Sequence, residues 1–522
     1  MPGTVTRRFR IHNAQQFHEA FSEAAPTQMY LFIGRVDSFP DDNNPPTPPD
    51  SIQETEFNQW RNMLAAKRVQ TSDISFSLAR YNWSTGKVYR QFDPTSNTLY
   101  DTPAGSNTMY VMTSDFNVYK CLFNNKGASS TVEPSGTSTS TLSTADGYKW
   151  KFMYSVSAAD ALKFVTTNFI PVQTLSANDG SAQFSVQSAA SNGNIEVIDV
   201  LGGGSNFKSH SGTVASPAAG SIVIGASGAN TSDDVYNGSV LHIASGLGAG
   251  QVREIVNYVG SSRTITVNNN FTTTPNTTST YSIGPKVAIT GDGSGAIAIA
   301  NTTGTNEAGA VNIITMIATG SNYSNAAVTI SANVGSGATA QAFIAPPGGH
   351  GSDAVSELGG HNVMLNVQLS GSESNTFPTA NDFRMVGLLK DPILEANGSL
   401  ATGTSFDLTE RITCTSISGA GRYNPDETIT GGTTGATAKF VSFANTNTAN
   451  TAGELRVTSR SGIGFQAAET ITGGGSGITA TVASITKPDL RNNFGDVLYV
   501  ENRAPVSRSG DQIEDIKLVV KF

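Results

Sequence analysis

A short sequence block is repeated within the chain. Glu427-Thr-Ile-Thr-Gly-Gly432 returns as Glu469-Thr-Ile-Thr-Gly-Gly474, an offset of 42 residues (469 − 427). An aromatic residue, Tyr423 or Phe465, stands four positions before each copy. Alternating Thr and Ile followed by paired glycines are typical of a strand that ends in a turn. Repeats of this length are small supersecondary units that stack on one another. Residues 412–486 are therefore expected to form two similar β units, with the two aromatics in equivalent packed positions.

Much of the chain has a similar pattern of strand-forming and turn-forming residues, and the composition of the chain explains why. Of the 522 residues, 53 are glycine and only 14% are charged. Threonine, valine and isoleucine suit a pleated sheet, whereas glycine and asparagine accept the dihedral angles of tight turns. The length favours several domains or one domain with insertions. The sequence therefore predicts a mainly β fold with a small helical portion.

The helical portion is expected in the first third of the chain. Ala14–Ala24 has the spacing of an amphipathic helix. Ser51-Ile-Gln-Glu54 and Ser157-Ala-Ala-Asp160 have the pattern of a capping box, which satisfies the first free N–H groups of a helix. The second box opens a short helix that extends to Phe164.

Changes in composition divide the chain into segments. Residues 178–345 are rich in Gly, Ser, Thr and Asn and contain short apolar alternations such as Ile195–Val200. The C-terminal stretch instead has two strong strand patterns and no partner among the adjacent repeats. The simplest organisation is one core interrupted twice, because insertions in surface loops cost little. The expected segments are a core at 1–176, 346–411 and 487–522, an inserted β-rich module at 177–345, and an inserted tandem β repeat at 412–486.

Charge and cysteine content narrow the possible partners and compartment. The formal charge is −9, from 32 basic and 41 acidic residues, and no Lys/Arg cluster marks a face for nucleic acid. Residues 1–10 lack the apolar region of a signal peptide. No run approaches the roughly 20 apolar residues that span a bilayer. We therefore expect folding in a cytoplasm without membrane insertion. Cys121 and Cys414 could pair, but reduced, packed thiols are the favoured interpretation.

One stretch has the spacing of a metal site. His350, Asp353, Glu357 and His361 are three or four residues apart, so one helical face could carry all four. Glycines precede and interrupt this stretch, which limits a helix there to about two turns and leaves both histidines outside it. A solvated loop-helix-loop is therefore favoured over a metal site.

Other motifs do not predict catalysis. Gly246–Gly250, Gly291–Gly295 and Gly473–Gly477 resemble phosphate loops, but none continues into Gly-Lys-Ser/Thr, and turns are the favoured interpretation. The Gly-X-Ser-X-Gly elbow of hydrolases does not occur. The three tryptophans are expected to pack in a core rather than line a glycan site. The sequence predicts no enzyme and no catalytic, cofactor-binding or metal-binding residue. It leaves the interface residues undetermined.

Several blocks of the proposed core carry a family resemblance. They include Phe32-Ile-Gly-Arg35, Arg80-Tyr-Asn-Trp83, Asp146-Gly-Tyr-Lys-Trp-Lys-Phe152, Phe383–Pro392 and Gly495-Asp-Val-Leu-Tyr-Val-Glu-Asn-Arg-Ala-Pro505. In this order they resemble the baseplate wedge proteins of T-even-like contractile-tailed phages, the gene product eight wedge subunits. Together the blocks are spread over roughly the three core segments proposed above, which make up about half the chain. The two insertions have no clear counterpart in the T-even version.

The resemblance implies an architecture and a set of partners. A member of this family has a two-layered β-sandwich with a helical insertion and forms a dimer within each wedge. Other wedge subunits are further partners, and the insertions are possible attachment points for tail fibres. The implied location is the tail baseplate of the virion, after assembly in the host cytoplasm. The family carries no catalytic residues, so none is transferred to this chain.

Two other classes of function stay open at this point. A receptor-binding or fibre-type adhesin is suggested by the β-rich modules, and a glycan-degrading tail enzyme would need paired carboxylates in a cleft. Adhesins usually place their binding modules at a chain end, whereas both β-rich regions here are internal. The sequence therefore favours a structural wedge subunit that holds neighbouring subunits together during assembly and tail contraction.

Overall fold

A computed structural model describes residues 4–23, 27–49, 53–96, 108–224, 228–303, 309–419 and 423–522. Over these ranges the chain is mainly β, with a small helical content, as the sequence predicts. The helices are α1 (Arg7–Glu19), α2 (Gln53–Asn62), α3 (Ala158–Phe164), α4 (Ala182–Ala189) and α5 (Ala354–Leu358). The strands are β1 (Met29–Gly34), β2 (Met63–Arg68), β3 (Ile74–Ala79), β4 (Tyr110–Met112), β5 (Asn117–Phe123), β6 (Leu142–Ser143), β7 (Lys149–Ser155), β8 (Phe169–Val172), β9 (Ile195–Ser205), β10 (His210–Pro217), β11 (Ser221–Ile224), β12 (Ser239–Ser245), β13 (Val252–Val259), β14 (Thr264–Val267), β15 (Thr280–Gly291), β16 (Ser294–Thr302), β17 (Val311–Ser321), β18 (Ala326–Ser331), β19 (Ser336–Ile344), β20 (Asn362–Ser370), β21 (Asn381–Lys390), β22 (Ser405–Asp407), β23 (Glu410–Thr415), β24 (Thr428–Gly431), β25 (Thr437–Asn445), β26 (Gly453–Ser461), β27 (Thr470–Gly473), β28 (Thr479–Thr486), β29 (Asp496–Arg508) and β30 (Ile513–Lys521).

The chain divides into two compact units, each built from separate segments. The first unit contains Met1–Ser77, Leu162–Val165 and His361–Phe522. The second contains Leu78–Ala161 and Thr166–Gly360.

A β-sandwich forms the core of the first unit. One of its sheets has the strand order β22-β2-β1-β21-β29, and in the other β20 lies between β3 and β30. Successive side chains of a strand point to opposite faces. The inward side chains of both sheets, among them Leu31, Leu365 and Val386, therefore meet in one buried cluster.

Both C-terminal strands belong to this sandwich. Tyr499 of β29 lies opposite Leu388 of β21, which pairs in turn with β1. Leu518 of β30 lies opposite Leu365 of β20. The sequence predicts that the last stretch returns to the sheets of the N-terminal strands, and this pairing agrees with it.

The 42-residue repeat forms a closed barrel within the first unit, with the strand order β23-β26-β25-β24-β27-β28. In the first hairpin Ile429 lies opposite Ala438, and in the second Ile471 lies opposite Ala480. The two hairpins therefore have the same register 42 residues apart. Each half contributes three strands, and β24 pairs with its counterpart β27.

The two aromatics of the repeat occupy equivalent positions in this barrel. Tyr423 and Phe465 are both buried in its core cluster, at 7% and 9% exposure. The prediction of two similar β units with matching packed aromatics is confirmed.

The second unit contains several sheets. One has the order β4-β5-β7-β6, a larger one has β10-β11-β14-β13-β12-β15-β16-β17, and β9 pairs with β19. Tyr119 of β5 and Trp150 of β7 form a buried aromatic cluster. Val186 of α4 packs into the same cluster, so residues from both sides of position 176 share one core.

This division differs from the one that composition predicts. Residues 78–161 group with 166–360 rather than with the sandwich strands. The physical reason is the contact between α4 and the aromatic cluster, which a change in glycine content does not reveal. A helix also stands where only strands are expected, because the Ser181 hydroxyl accepts a hydrogen bond from the Phe184 N–H and caps α4.

The predicted helices are found with shifted ends. Helix α1 begins at Arg7 rather than at Ala14, because the Thr6 hydroxyl accepts a hydrogen bond from Phe9 N–H at 3.2 Å. The Ser157 hydroxyl caps α3, since it accepts from the Asp160 N–H at 3.0 Å and donates to Asp160 Oδ2 at 2.7 Å. The Ser51 half of the other box lies outside the described residues. Cys121 and Cys414 are both free and buried, as expected.

Candidate interaction surfaces

Strand β30 forms an open edge of the sandwich. It is the terminal strand of its sheet, and it pairs with β20 residue by residue from Ile513 opposite Ser370 to Lys521 opposite Asn362. An edge strand presents a row of free N–H and C=O groups to a further strand. The straight nine-residue ladder leaves β30 suited to accept one.

The outward side chains of β30 place two charged residues between two apolar ones. Ile513 is 63% exposed, and Asp515, Lys517 and Val519 follow on the same face. Lys517 Nζ lies 2.9 Å from Asp515 Oδ2. The side chains between them, such as Ile516, point into the sandwich core.

Strand β29 is the edge of the other sheet, but its geometry disfavours a further strand. Its register against β21 shifts between Phe383 and Met385, so the ladder bulges. Pro505, which lacks an N–H, lies in the same stretch. Bulges and prolines protect an edge against pairing. Of these two edges, β30 is therefore the one suited to assembly.

A polar cavity of about 280 Å³ lies at the junction of the barrel and α2. Trp60 and Glu410 line it and are buried, and Trp60 Nε1 and Glu410 Oε1 have no hydrogen-bond partner among the described residues. Arg460 forms an ion pair with Glu410. Burial raises the pKa of the Glu410 carboxyl, and the Arg460 guanidinium opposes that shift. Ile463, 88% exposed, projects from a glycine-flanked loop at the rim.

The residues of the suspected metal site are not brought together as a ligand set. Helix α5 spans only Ala354–Leu358, so both histidines lie outside it as expected. Asp353 caps the helix by accepting from Ser356 N–H. His361 belongs to the first unit, whereas His350 belongs to the second. In the part of the chain that the structure describes, no group of three or more His, Cys, Asp or Glu side chains could hold a metal.

The expected solvated loop-helix-loop is wrong, because this stretch is buried: Glu357 and His350 surround a buried lysine. Lys120 Nζ lies 2.8 Å from Glu357 Oε2 and 3.1 Å from His350 Nδ1, and the three side chains are at most 3% exposed. Burial and the Lys120 cation lower the pKa of His350. Burial alone would raise the pKa of Glu357, but Lys120 and His350 together outweigh burial and hold that pKa at about 2.

A second buried lysine lies beside the first. Lys151 of β7 is opposite Lys120 of β5 in the sheet, and its Nζ is 3.1 Å from Glu196 Oε1 of β9. The sequence prediction did not include these lysines or Glu196. The one available signal was a lysine in the middle of each of two apolar strand patterns, since buried lysines require a partner.

Comparisons with known proteins add no identification. No family model matches the chain. No curated protein matches it significantly. Among the described residues, the helices are too short or too polar for any of them to cross a bilayer.

Proposed function

We propose that the chain is a structural subunit of the baseplate wedge of a contractile phage tail. The observation that supports this most is where three of the five blocks of the family resemblance fall; the other two, Arg80–Trp83 and Asp146–Phe152, lie in the second unit. Phe32–Arg35, Phe383–Pro392 and Gly495–Pro505 are far apart in the sequence, yet they include parts of β1, β21 and β29. These three strands are neighbours in one sheet. Scattered blocks that converge on one sheet are expected of a shared core that carries insertions.

A wedge subunit has a mechanical task. It holds its neighbours in fixed geometry before the tail contracts and tolerates their rearrangement afterwards. Large non-covalent interfaces serve this task, and no reacting group is needed. The open edge of β30 offers such an interface through its backbone groups.

The partner at this edge is a second copy of the chain. If two β30 strands pair antiparallel about Ile516, each Asp515 lies opposite Lys517 of the other copy. The same register places Ile513 opposite Val519. Acid thus meets base and apolar meets apolar across a two-fold axis, and such cross-strand pairs stabilise a sheet.

A charge-swap experiment tests this pairing. Asp515→Lys and Lys517→Asp each place like charges opposite one another twice in the symmetric dimer. We expect each variant alone to dimerise about tenfold more weakly than the wild type in sedimentation equilibrium. An equimolar mixture of the two variants should recover dimers, because every position then faces an opposite charge.

The control is Arg503→Glu, which changes a charge in the bulged stretch of β29 and should leave dimerisation unchanged. A dimer that tolerates all three substitutions would place the interface elsewhere. The wedge function has a separate test: gold-labelled antibodies against the chain should mark the baseplate of intact tails. Labelling of fibre tips alone would reject a wedge subunit.

An adhesin is the second candidate, and one cavity favours it. A cavity of about 530 Å³ in the second unit is lined entirely by uncharged residues, among them Tyr323, Asn325 and Gln341. Amide and hydroxyl groups beside an aromatic ring suit a neutral sugar. Binding to a neutral glycan array that is lost in Gln341→Ala would support this function.

A further inference from the structure

Two side chains of the second unit donate hydrogen bonds to one carboxylate oxygen of a third. Glu196 Oε1 accepts a hydrogen bond from Lys151 Nζ at 3.1 Å and from Asn194 Nδ2 at 3.0 Å. Lys151 lies on β7, whereas Asn194 and Glu196 lie at the start of β9. An amine and a carboxamide are therefore joined through a single acid–base group.

The cluster is buried and held in place. Lys151, Glu196 and Asn194 are 4%, 6% and 6% exposed. Thr141 donates its hydroxyl to the other oxygen of Glu196, and Lys151 also donates to the Thr139 carbonyl at 2.8 Å. Asn194 Oδ1 is buried without a hydrogen-bond partner among the described residues.

We infer that Lys151 and Asn194 form an intramolecular isopeptide bond, with Glu196 as the catalytic acid–base group. Each element of the reaction is present. Lysine is a competent nucleophile once its amine is neutral, and exclusion of water protects the step from hydrolysis. A carboxylate in contact with both the attacking and the leaving nitrogen can move protons between them.

The reaction balances without any further reagent. Glu196 takes one proton from the Lys151 ammonium, and the freed amine forms a bond to Cγ of Asn194. The Cγ–Nδ2 bond then breaks. Glu196 returns its proton, and the leaving nitrogen, with the second proton from Nζ, departs as an ammonium ion. One ammonium and one carboxamide become one secondary amide and one ammonium ion, and no redox change occurs.

The bond would join two strands of the second unit that belong to different sheets. It would close a loop from β7 to β9, and a covalent cross-link restricts the unfolded chain. A subunit that is loaded mechanically benefits from such a link, but the inference does not depend on the proposed function.

Intact mass spectrometry of the full chain tests the inference. The wild-type mass should be lower than the mass of the sequence by one ammonia. Protease digestion should release a branched peptide that contains both Lys151 and Asn194. Lys151→Arg and Glu196→Gln should each have the full mass of their sequence. Asn194→Asp should lose water instead and reach the same mass as the cross-linked wild type.

Two controls separate this reaction from others. Asn192-Gly193 can also lose ammonia by forming a succinimide, but Lys151→Arg does not remove that reaction, and the succinimide yields no branched peptide. Lys120→Arg alters the neighbouring buried lysine and should leave the mass loss intact. A wild-type chain with the full mass of its sequence would overturn the inference, whether or not any variant folds.

Discussion

At the scale of single residues, the buried ion pairs are the main determinants of how the second unit packs. Lys120 and Lys151 are neighbours in one sheet, and each has a glutamate partner from a distant segment. A lone buried ammonium is strongly unfavourable, so each glutamate fixes where its segment packs. The partners lie far downstream in the sequence, and residue spacing gives no indication of which glutamate reaches which lysine.

Glu357→Gln should therefore be strongly destabilising. It leaves the Lys120 ammonium buried without its carboxylate, and breaking a buried pair in this way costs about 3–5 kcal/mol. Urea denaturation followed by circular dichroism measures the loss. The matched control is Glu395→Gln, which weakens surface ion pairs with Lys487 and Arg491 and should cost about 0–1 kcal/mol. Equal losses from both would contradict the account.

The same substitution, Glu357→Gln, should change how the free energy of unfolding depends on pH. The pKa of Glu357 lies at about 2 in the folded chain, below its ordinary value of 4.5. Its contribution to stability is therefore present above pH 4.5 and is lost as the pH falls from there through about 2. His350, whose pKa is also lowered, adds a loss that begins as the pH falls below 6.5. Glu357→Gln should keep the loss of stability that comes from His350. It should lack the loss that the Glu357 carboxyl causes below pH 4.5.

At the scale of elements, the barrel is held by two reciprocal contacts. Glu427 of the first repeat accepts hydrogen bonds from Gly475 and Ser476 N–H of the second, each at 2.8 Å. Glu469 of the second repeat accepts from Thr433 and Thr434 N–H of the first. Each repeat thus caps the loop of the other, and these bonds help to lower the pKa of both carboxyls.

Hydrogen-exchange measurements can distinguish two repeats that cap each other's loops from two independent units. Glu427→Ala should speed exchange at the Gly475 and Ser476 amides in the opposite repeat and leave Thr433 and Thr434 protected. Glu469→Ala should give the reverse pattern. Each substitution should cost about 1–3 kcal/mol, since it leaves backbone N–H groups without an acceptor. Faster exchange within the mutated repeat alone would show that the contacts are not reciprocal.

The repeat also shows how far sequence predicts structure here. The strands, their turns and the shared packing of the aromatics followed from Thr–Ile alternation and paired glycines. The closed barrel did not follow, because an internal repeat gives similarity between units and not which edges pair. The candidate assembly edge could not be predicted from the sequence either. Two strands were predicted at the C-terminus, but whether a strand is an edge depends on its neighbours in the sheet. The carboxylate–amine clusters depend on tertiary packing alone.

At the scale of the whole molecule, the two units are built from interleaved segments. A change in amino-acid composition along the chain therefore does not mark the end of a packed unit. Residues 178–345 look removable by composition, yet this stretch supplies Glu196 to Lys151 and Val186 to the aromatic cluster. The barrel differs, because its two ends meet: Arg411 lies opposite Thr486 in adjacent strands. Segments whose ends are adjacent can be excised with little loop-closure cost.

A matched pair of deletions tests this distinction, with a short Gly/Ser linker replacing 412–485 in one variant and 178–345 in the other. The first should keep the sandwich folded and still dimeric, at a cost of about 1.5–3 kcal/mol for Val441, which packs into the sandwich core, and a further cost at Glu410, which loses Arg460. Arg411 remains beside Asp407, so that buried carboxyl keeps a cation. The second deletion should unfold the second unit, because it removes Val186 from the aromatic cluster and both Glu196 and Asn194 from Lys151. Hydrogen exchange along the β20–β30 ladder and at β5 and β7 reports on each unit separately. Loss of protection at β20 in the barrel deletion would show that the barrel is part of the sandwich core. Retained protection at β7 in the other deletion would show that residues 178–345 are not part of the core of the second unit.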